Sequence, residues 1–120
     1  MTEVMRTSDV LDRTADIIEQ RGWSKGGADG WGLDPASPLC IEGGILAVLG
    51  LSLLHAERPE FLNCPAYNAV LEYLGQDAKY TRLYWWNDTE AENQAQVIEV
   101  LRSAALLEAA KEAVLEEVLV

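Results

Sequence analysis

The sequence predicts a mainly α-helical single domain, about four helices around a buried central one, with a short β-hairpin or strand pair beside them. Three observations carry this. Apolar residues recur at i, i+3 or i+4 and i+7 in three separate stretches, the period of an amphipathic helix. A fourth stretch, residues 39–54, is apolar on every side and carries one charge, Glu42, as a helix buried all round should. The chain has 120 residues and 49% hydrophobic content, enough for one core without help from a disulfide or a metal. The expected organisation is one domain over residues 1–120, with residues 106–120 as a C-terminal helical extension.

The first helix is expected over residues 9–21. Thr7 or Ser8 offers a cap, Asp9 sits in the first turn, and Gly22 fits the position after the last turn. Val10, Leu11, Thr14, Ile17 and Ile18 share one face, and Asp9, Asp12, Asp16 and Glu19 take the other. Residues 23–37 read as irregular, with Gly26, Gly27, Gly30, Gly32 and Pro35 crowded together. Asp29-Gly30 is a turn signal that would close a hairpin between Trp23 and Trp31.

The central helix should start with Ser37 as N-cap and Pro38 in its first turn. Gly43, Gly44 and Gly50 each cost roughly 1 kcal/mol against alanine inside a helix, so their presence argues for close backbone packing. Arg58-Pro59 should end the segment. A third helix is expected over residues 65–74, capped by Asn63 or Cys64, stopped by Gly75, and turned inward through Tyr67, Val70, Leu71 and Leu74. The aromatic run 80–86 reads as an extended segment pairing with the Trp23 region. The last helix should begin after Asp88, where Thr89-Glu90-Ala91-Glu92 has the form of a capping box. Its core stripe is Val97, Ile98, Leu101, Ala104 and Ala105, and the pattern continues to the C-terminus.

Twenty acids against nine bases give a net charge of −11. A phosphate-backbone binder needs clustered Lys and Arg, and an anionic membrane attracts the same residues, so neither nucleic acid nor membrane is an expected partner. The acidity is heaviest over residues 80–120, with eight acids and three bases. The start of the chain lacks the basic region and apolar run of a secretory signal. Cys40 and Cys64 have neither CxxC spacing nor a disulfide-scaffold pattern, so both are expected as reduced thiols in the cytoplasm.

Three places could carry chemistry or binding. Cys40, counted from a Ser37 cap, falls in the first turn of the central helix, where the helix dipole favours the thiolate. A cysteine nucleophile also needs a base, and the one histidine, His55, would lie ~22 Å away along a continuous helix. The plainer reading of Cys40 is a small buried core residue. Trp86-Asn87-Asp88 is either a helix cap with an anchoring tryptophan or the polar floor of a groove beside Trp85. In the tail, Ala104, Leu107, Lys111, Val114 and Val118 follow a/d spacing. Glu108, Glu112 and Glu116 repel at i, i+4, and Glu116 and Glu117 oppose the helix dipole. This end is either frayed or a seam for a partner, Leu107, Val114 and Val118 being its contact residues.

No metal and no cofactor is expected. Cys40, His55 and Cys64 lack zinc spacing, and Gly27-x-x-Gly30-x-Gly32 lacks the Lys-Ser/Thr of a phosphate loop.

Three motifs in order complete the reading: Arg21-Gly22-Trp23 after an amphipathic helix, Cys40-Ile41-Glu42-Gly43-Gly44-Ile45 opening an apolar one, and Trp86-Asn87-Asp88 before a final helix. Together they resemble the domain-of-unknown-function family DUF6197, over roughly residues 8–105. The family usually has alanine where this chain has Gly44. The resemblance implies a small accessory protein of actinobacteria or their phages. It further implies that Trp23, Cys40, Gly43, Trp86, Asn87 and Asp88 meet in space, and it supplies no activity.

The leading expectation is therefore a small acidic cytoplasmic protein that binds another protein, a host protein if the chain is phage-encoded, without catalysis. A homodimer through the C-terminal helix is a variant of it. The alternatives are a thiol-dependent enzyme using Cys40, with Asn87 or Asp88 orienting substrate or water, and a nucleic-acid mimic.

Overall fold

A computed structural model of the chain describes residues 5–25, 36–75 and 82–119. Among these the chain forms α1 (Thr7–Arg21), α2 (Ile41–Val48), α3 (Pro59–Leu62), α4 (Pro65–Tyr73), α5 (Leu83–Thr89) and α6 (Gln94–Leu119), with a 3₁₀ turn at Leu53–His55. The protein is mainly helical, as the periodicities predict, and the described residues hold no sheet.

α1 and α6 lie antiparallel. Ser8 reaches Glu112, Arg102 reaches Asp12 and Asp16, and the Trp23 amide reaches Gln94. Their facing stripes (Val10, Leu11, Ala15, Ile18 and Val97, Leu101, Ala104, Ala105) are all buried. α2 is the buried central element, and its residues Ile41 to Leu46 are shielded from solvent. Gly44 lets it approach α1 closely. A Cβ there would stand 3.0 Å from the Thr14 methyl and 3.1 Å from Ile18 Cδ1, tighter than packed side chains normally sit.

The boundaries differ from expectation where long-range hydrogen bonds take over the backbone. The central helix is half its expected length. Leu39 cannot be helical, because its amide donates to the Gly22 carbonyl and its carbonyl accepts from Ser24, forming an isolated parallel bridge with Trp23. Cys40, not Ser37, is consequently the N-cap, in extended conformation with φ −77° and ψ 171°. Gly50 has φ +73°, lies past the helix end and faces open space, so it stops the helix rather than packing within it. That bridge also replaces the expected hairpin at its Trp23 end; Asp29, Gly30 and Trp31 lie outside the described residues.

Pro59, expected only to end a segment, opens the short helix α3, which places the buried Phe61 edge-on to Tyr67 with ring centroids 5.1 Å apart. From Leu83 to Trp86 the expected extended segment is helical instead, as part of α5; Tyr80 and Thr81 lie outside the described residues. Asn87 and Asp88 fall inside that helix and do not cap the last one. The cap of α6 is Asn93, whose Oδ1 accepts from the Gln96 amide while Gln96 Oε1 accepts from the Glu92 amide. Thr89 Oγ1 is occupied with the Trp85 carbonyl, which removes it from the expected capping box. α1 begins after Arg6 with no side-chain cap, because Ser8 Oγ is committed to Glu112 at 2.6 Å.

Candidate functional site

The three sequence motifs converge on one joint. Asn87 is fully buried on α5 and all its hydrogen-bonding capacity is used. Its Oδ1 accepts from Trp23 Nε1 at 2.8 Å and from the Ile41 amide at 3.0 Å. Its Nδ2 donates to the Ser24 carbonyl at 3.0 Å and to Asp88 Oδ1 at 2.9 Å. Asn87 therefore ties the segment after α1, the first turn of α2 and α5 into one unit. It does cap a helix, but the helix is α2, 46 residues earlier in the chain. Local spacing carries no signal for such a cap.

Cys40 lies in this joint, 3% exposed, with its sulfur accepting from the Gly43 amide at 3.3 Å. Burial pushes its thiol up to about 12; the Gly43 N–H opposes this only in part, and the Glu42 and Asp88 carboxylates reinforce it. Of the two readings of Cys40, the plainer one, a small buried core residue, is what the structure shows; the helix-stabilised thiolate does not form, because desolvation outweighs the dipole once the sulfur is enclosed. His55 stands on the 3₁₀ turn, where its Nδ1 accepts from the Ser52 amide at 3.2 Å. It caps that turn, past the end of α2, so the continuous helix behind the ~22 Å separation does not exist. Trp86 is 6% exposed, whereas Trp85 beside it is 54% exposed.

The sign of the pH effect follows from the raised thiol. Cys40 favours the folded state fully below its ordinary value of 9.0 and loses that contribution as pH climbs toward about 12. Wild type is expected to lose stability relative to Cys40→Ala over this window, by roughly 1.4 kcal/mol per pH unit at most. Denaturant titrations of both chains at pH 8 to 11 check this. Native-state alkylation should meanwhile label Cys40 only at the rate of unfolding.

A second buried cluster escapes the motif reading. Glu42, the lone charge of the apolar stretch, is fully buried on α2. Its Oε2 accepts from Tyr67 Oη at 2.7 Å and from the Tyr84 amide at 2.8 Å, and its Oε1 accepts from Arg82 Nη2 at 2.8 Å. Tyr67 Oη in turn accepts from the Leu83 amide and from Arg82 Nε. Arg82, its side chain 13% exposed, also pairs with Glu57 at 2.9 Å and lies over the Tyr84 ring. Burial next to Glu42 raises the Tyr67 phenol above its ordinary range. Burial alone would lower the Arg82 guanidinium, but the hydrogen bond and charge of Glu42 more than reverse that. The signal was present in the sequence: one carboxylate in an otherwise apolar buried helix requires a cationic or donor partner elsewhere.

Among the described residues every buried side-chain nitrogen and oxygen has a hydrogen-bond partner, and no three of His, Cys, Asp or Glu gather as metal ligands. In both clusters the buried side-chain nitrogens and oxygens are thus already partnered within the protein.

The third region is the distal half of α6. Leu107, Val114 and Leu115 are each more than half exposed, and Ala110, Lys111, Val114 and Leu115 line an open groove of about 480 Å³. The helix stays continuous here. Glu116 pairs with Arg6, Glu112 accepts from Ser8, and Lys111 bridges Glu72 and Glu108. These contacts supply the partners that the expected fraying would lack. Val118 belongs to the same helix.

Fold and sites define a small helical protein locked by buried polar groups, with exposed apolar residues on its last helix. It belongs to the family of unknown function DUF6197, whose model matches residues 2–107. No curated protein and no solved structure matches the chain. Most of the exposed stripe of α6 lies beyond the family match. Among the described residues no helix is long and apolar enough to cross a membrane.

Proposed function

We propose that the chain is a non-enzymatic protein-binding module that meets its partner through the exposed face of α6. The observation that carries this is the set of apolar residues Leu107, Val114 and Leu115 on the distal half of α6, each more than half exposed. The buried state of Cys40 supports it further, since a working thiol needs exposure and an electropositive setting. The nucleic-acid mimic has less support. Glu108, Glu112 and Glu116 form a row, but they are engaged by Lys111, Ser8 and Arg6 rather than free to stand in for phosphates. The family resemblance suggests an accessory role in actinobacteria or their phages, with a host protein as partner. A cytoplasmic location is part of the proposal, and the two free thiols support it.

The test compares wild type with a Leu107→Ser/Val114→Ser chain as bait in host lysate at physiological salt. Wild type is expected to retain a stoichiometric partner and the variant to lose it, with helix content and melting temperature unchanged. The reading fails if wild type retains none, or if the variant retains the same one.

A further inference from the structure

The distal half of α6 carries a second apolar face, turned away from the core. Leu106, Leu107, Ala110, Ala113 and Val114 follow i, i+1, i+4, i+7 and i+8, one side of a helix. All five are exposed, while Val97, Leu101, Ala104 and Ala105 bury the opposite side. From Ser103 to Val114 no charge falls within this face. Lys111 borders it on the α4 side, where its ammonium bridges Glu72 and Glu108. Glu112 and Glu116 turn toward the start of α1, where they meet Ser8 and Arg6. The next charge on the face itself is Glu117.

Resting on the protein-binding reading above, we infer that in the free chain this face is covered by a second copy of itself, antiparallel about Ala110, and that a protein partner must take that copy's place. Such a pairing is isologous and closes on itself. With the two-fold axis at Ala110, Leu106 comes level with Val114 of the other copy, Leu107 with Ala113, and Ser103 with Glu117. A larger side chain therefore meets a smaller one at each apolar level, and the two alanines at the crossing let the backbones approach. The one carboxylate on the face meets a hydroxyl that donates to it. At one edge Lys111 comes level with its own counterpart, each ammonium already neutralised by Glu72 and Glu108. The two faces together bury on the order of 1,000 Å², the lower edge of specific interfaces, which makes the pair reversible and leaves the face open to a tighter partner.

Solution mass of the full chain, followed from about 1 to about 200 μM, is expected to rise from one copy to two with a Kd on the order of 10 μM. Salt should tighten the pairing, because it screens a net charge of −11 on each copy. Leu107→Ser/Val114→Ser should weaken it at least about tenfold, and Leu115→Ser, off the face, should leave it unchanged. In a Cys64→Ser background under a mild oxidant, Ala110→Cys should give a disulfide-linked dimer. Glu117→Cys should not, since the two copies of that position stand ~21 Å apart along an antiparallel pair. As bait in host lysate, the oxidised Ala110→Cys dimer should retain less than about a tenth of the partner that its reduced form retains. A chain monomeric throughout overturns this inference and leaves the protein-binding reading to its own test. Pairing that survives Leu107→Ser/Val114→Ser, or that weakens equally in Leu115→Ser, overturns it as well. So does Glu117→Cys linking as readily as Ala110→Cys, which marks a parallel or random contact. Equal retention by the oxidised and reduced baits shows that the second copy covers some other surface, and also overturns it. If the pair forms as expected and neither bait retains a partner, the self-pairing stands and the capture of a further protein fails.

Discussion

Arg82→Ala is expected to destabilise the fold by about 3–5 kcal/mol, the usual cost of stranding one member of a buried ion pair. The carboxylate left behind, Glu42, is fully buried. It would keep only the Tyr67 hydroxyl and the Tyr84 amide as donors. Arg82→Lys should recover only part of the loss, because one ammonium cannot serve Glu42, Glu57 and Tyr67 as the guanidinium does. Replacing the pair together, as Glu42→Met/Arg82→Met, should be milder than Arg82→Ala alone, since no charge is then left in the interior. Urea unfolding of the four chains measures the series. An Arg82→Ala chain within about 1 kcal/mol of wild type would show that water reaches Glu42 in the folded protein.

Asn87→Ala is expected to cost about 2–4 kcal/mol, because truncation leaves both the Ile41 amide and the Trp23 indole N–H without an acceptor. Trp23→Phe removes only one of these bonds and leaves Asn87 with its other partners, so its cost should be nearer 1 kcal/mol plus a packing term. In a double-mutant cycle the two changes should couple, since they share a hydrogen bond. Asn87→Asp is the sharper variant. It keeps the acceptor but sets carboxylate oxygens against the Ser24 carbonyl and Asp88, so it should be at least as damaging as alanine. Thermal unfolding followed by tryptophan fluorescence reads all of these. Additive effects of Trp23→Phe and Asn87→Ala would show that the indole bond contributes nothing to the joint.

Both networks bear on what could be read in advance. The amphipathic stripes of α1, α4 and α6 were legible because their core contacts repeat at the helical period, which one sequence displays directly. The stop at Gly75 was legible for a local reason, since a positive φ suits glycine. The start of α2 was not. Ser37-Pro38 is a sound local start signal, but the Leu39 backbone is used by Gly22 and Ser24 from another segment. Likewise Thr89-x-x-Glu92 is a good capping pattern that lost to Asn93 and Gln96. The candidate site divides the same way. The resemblance grouped Trp23, Cys40, Gly43, Trp86, Asn87 and Asp88, yet not the atom that joins them, Asn87 Oδ1. Glu42 stood out as a lone charge, while its partners Tyr67 and Arg82 lie 25 and 40 residues away.

By itself the sequence determined the helical class, the inward stripes of α1, α4 and α6, the acidity, and the apolar pattern along the tail. These depend on composition and on neighbours within a few residues, where hydrophobic periodicity and local backbone preference act. Only the tertiary structure decided where α2 begins, which of the two readings of Cys40 holds, that Asn87 caps a helix from a distant segment, and that Glu42 finds Arg82. Each of those outcomes depends on which polar groups are taken out of water together. Desolvation is a property of the assembled interior, and no single stretch of chain encodes it.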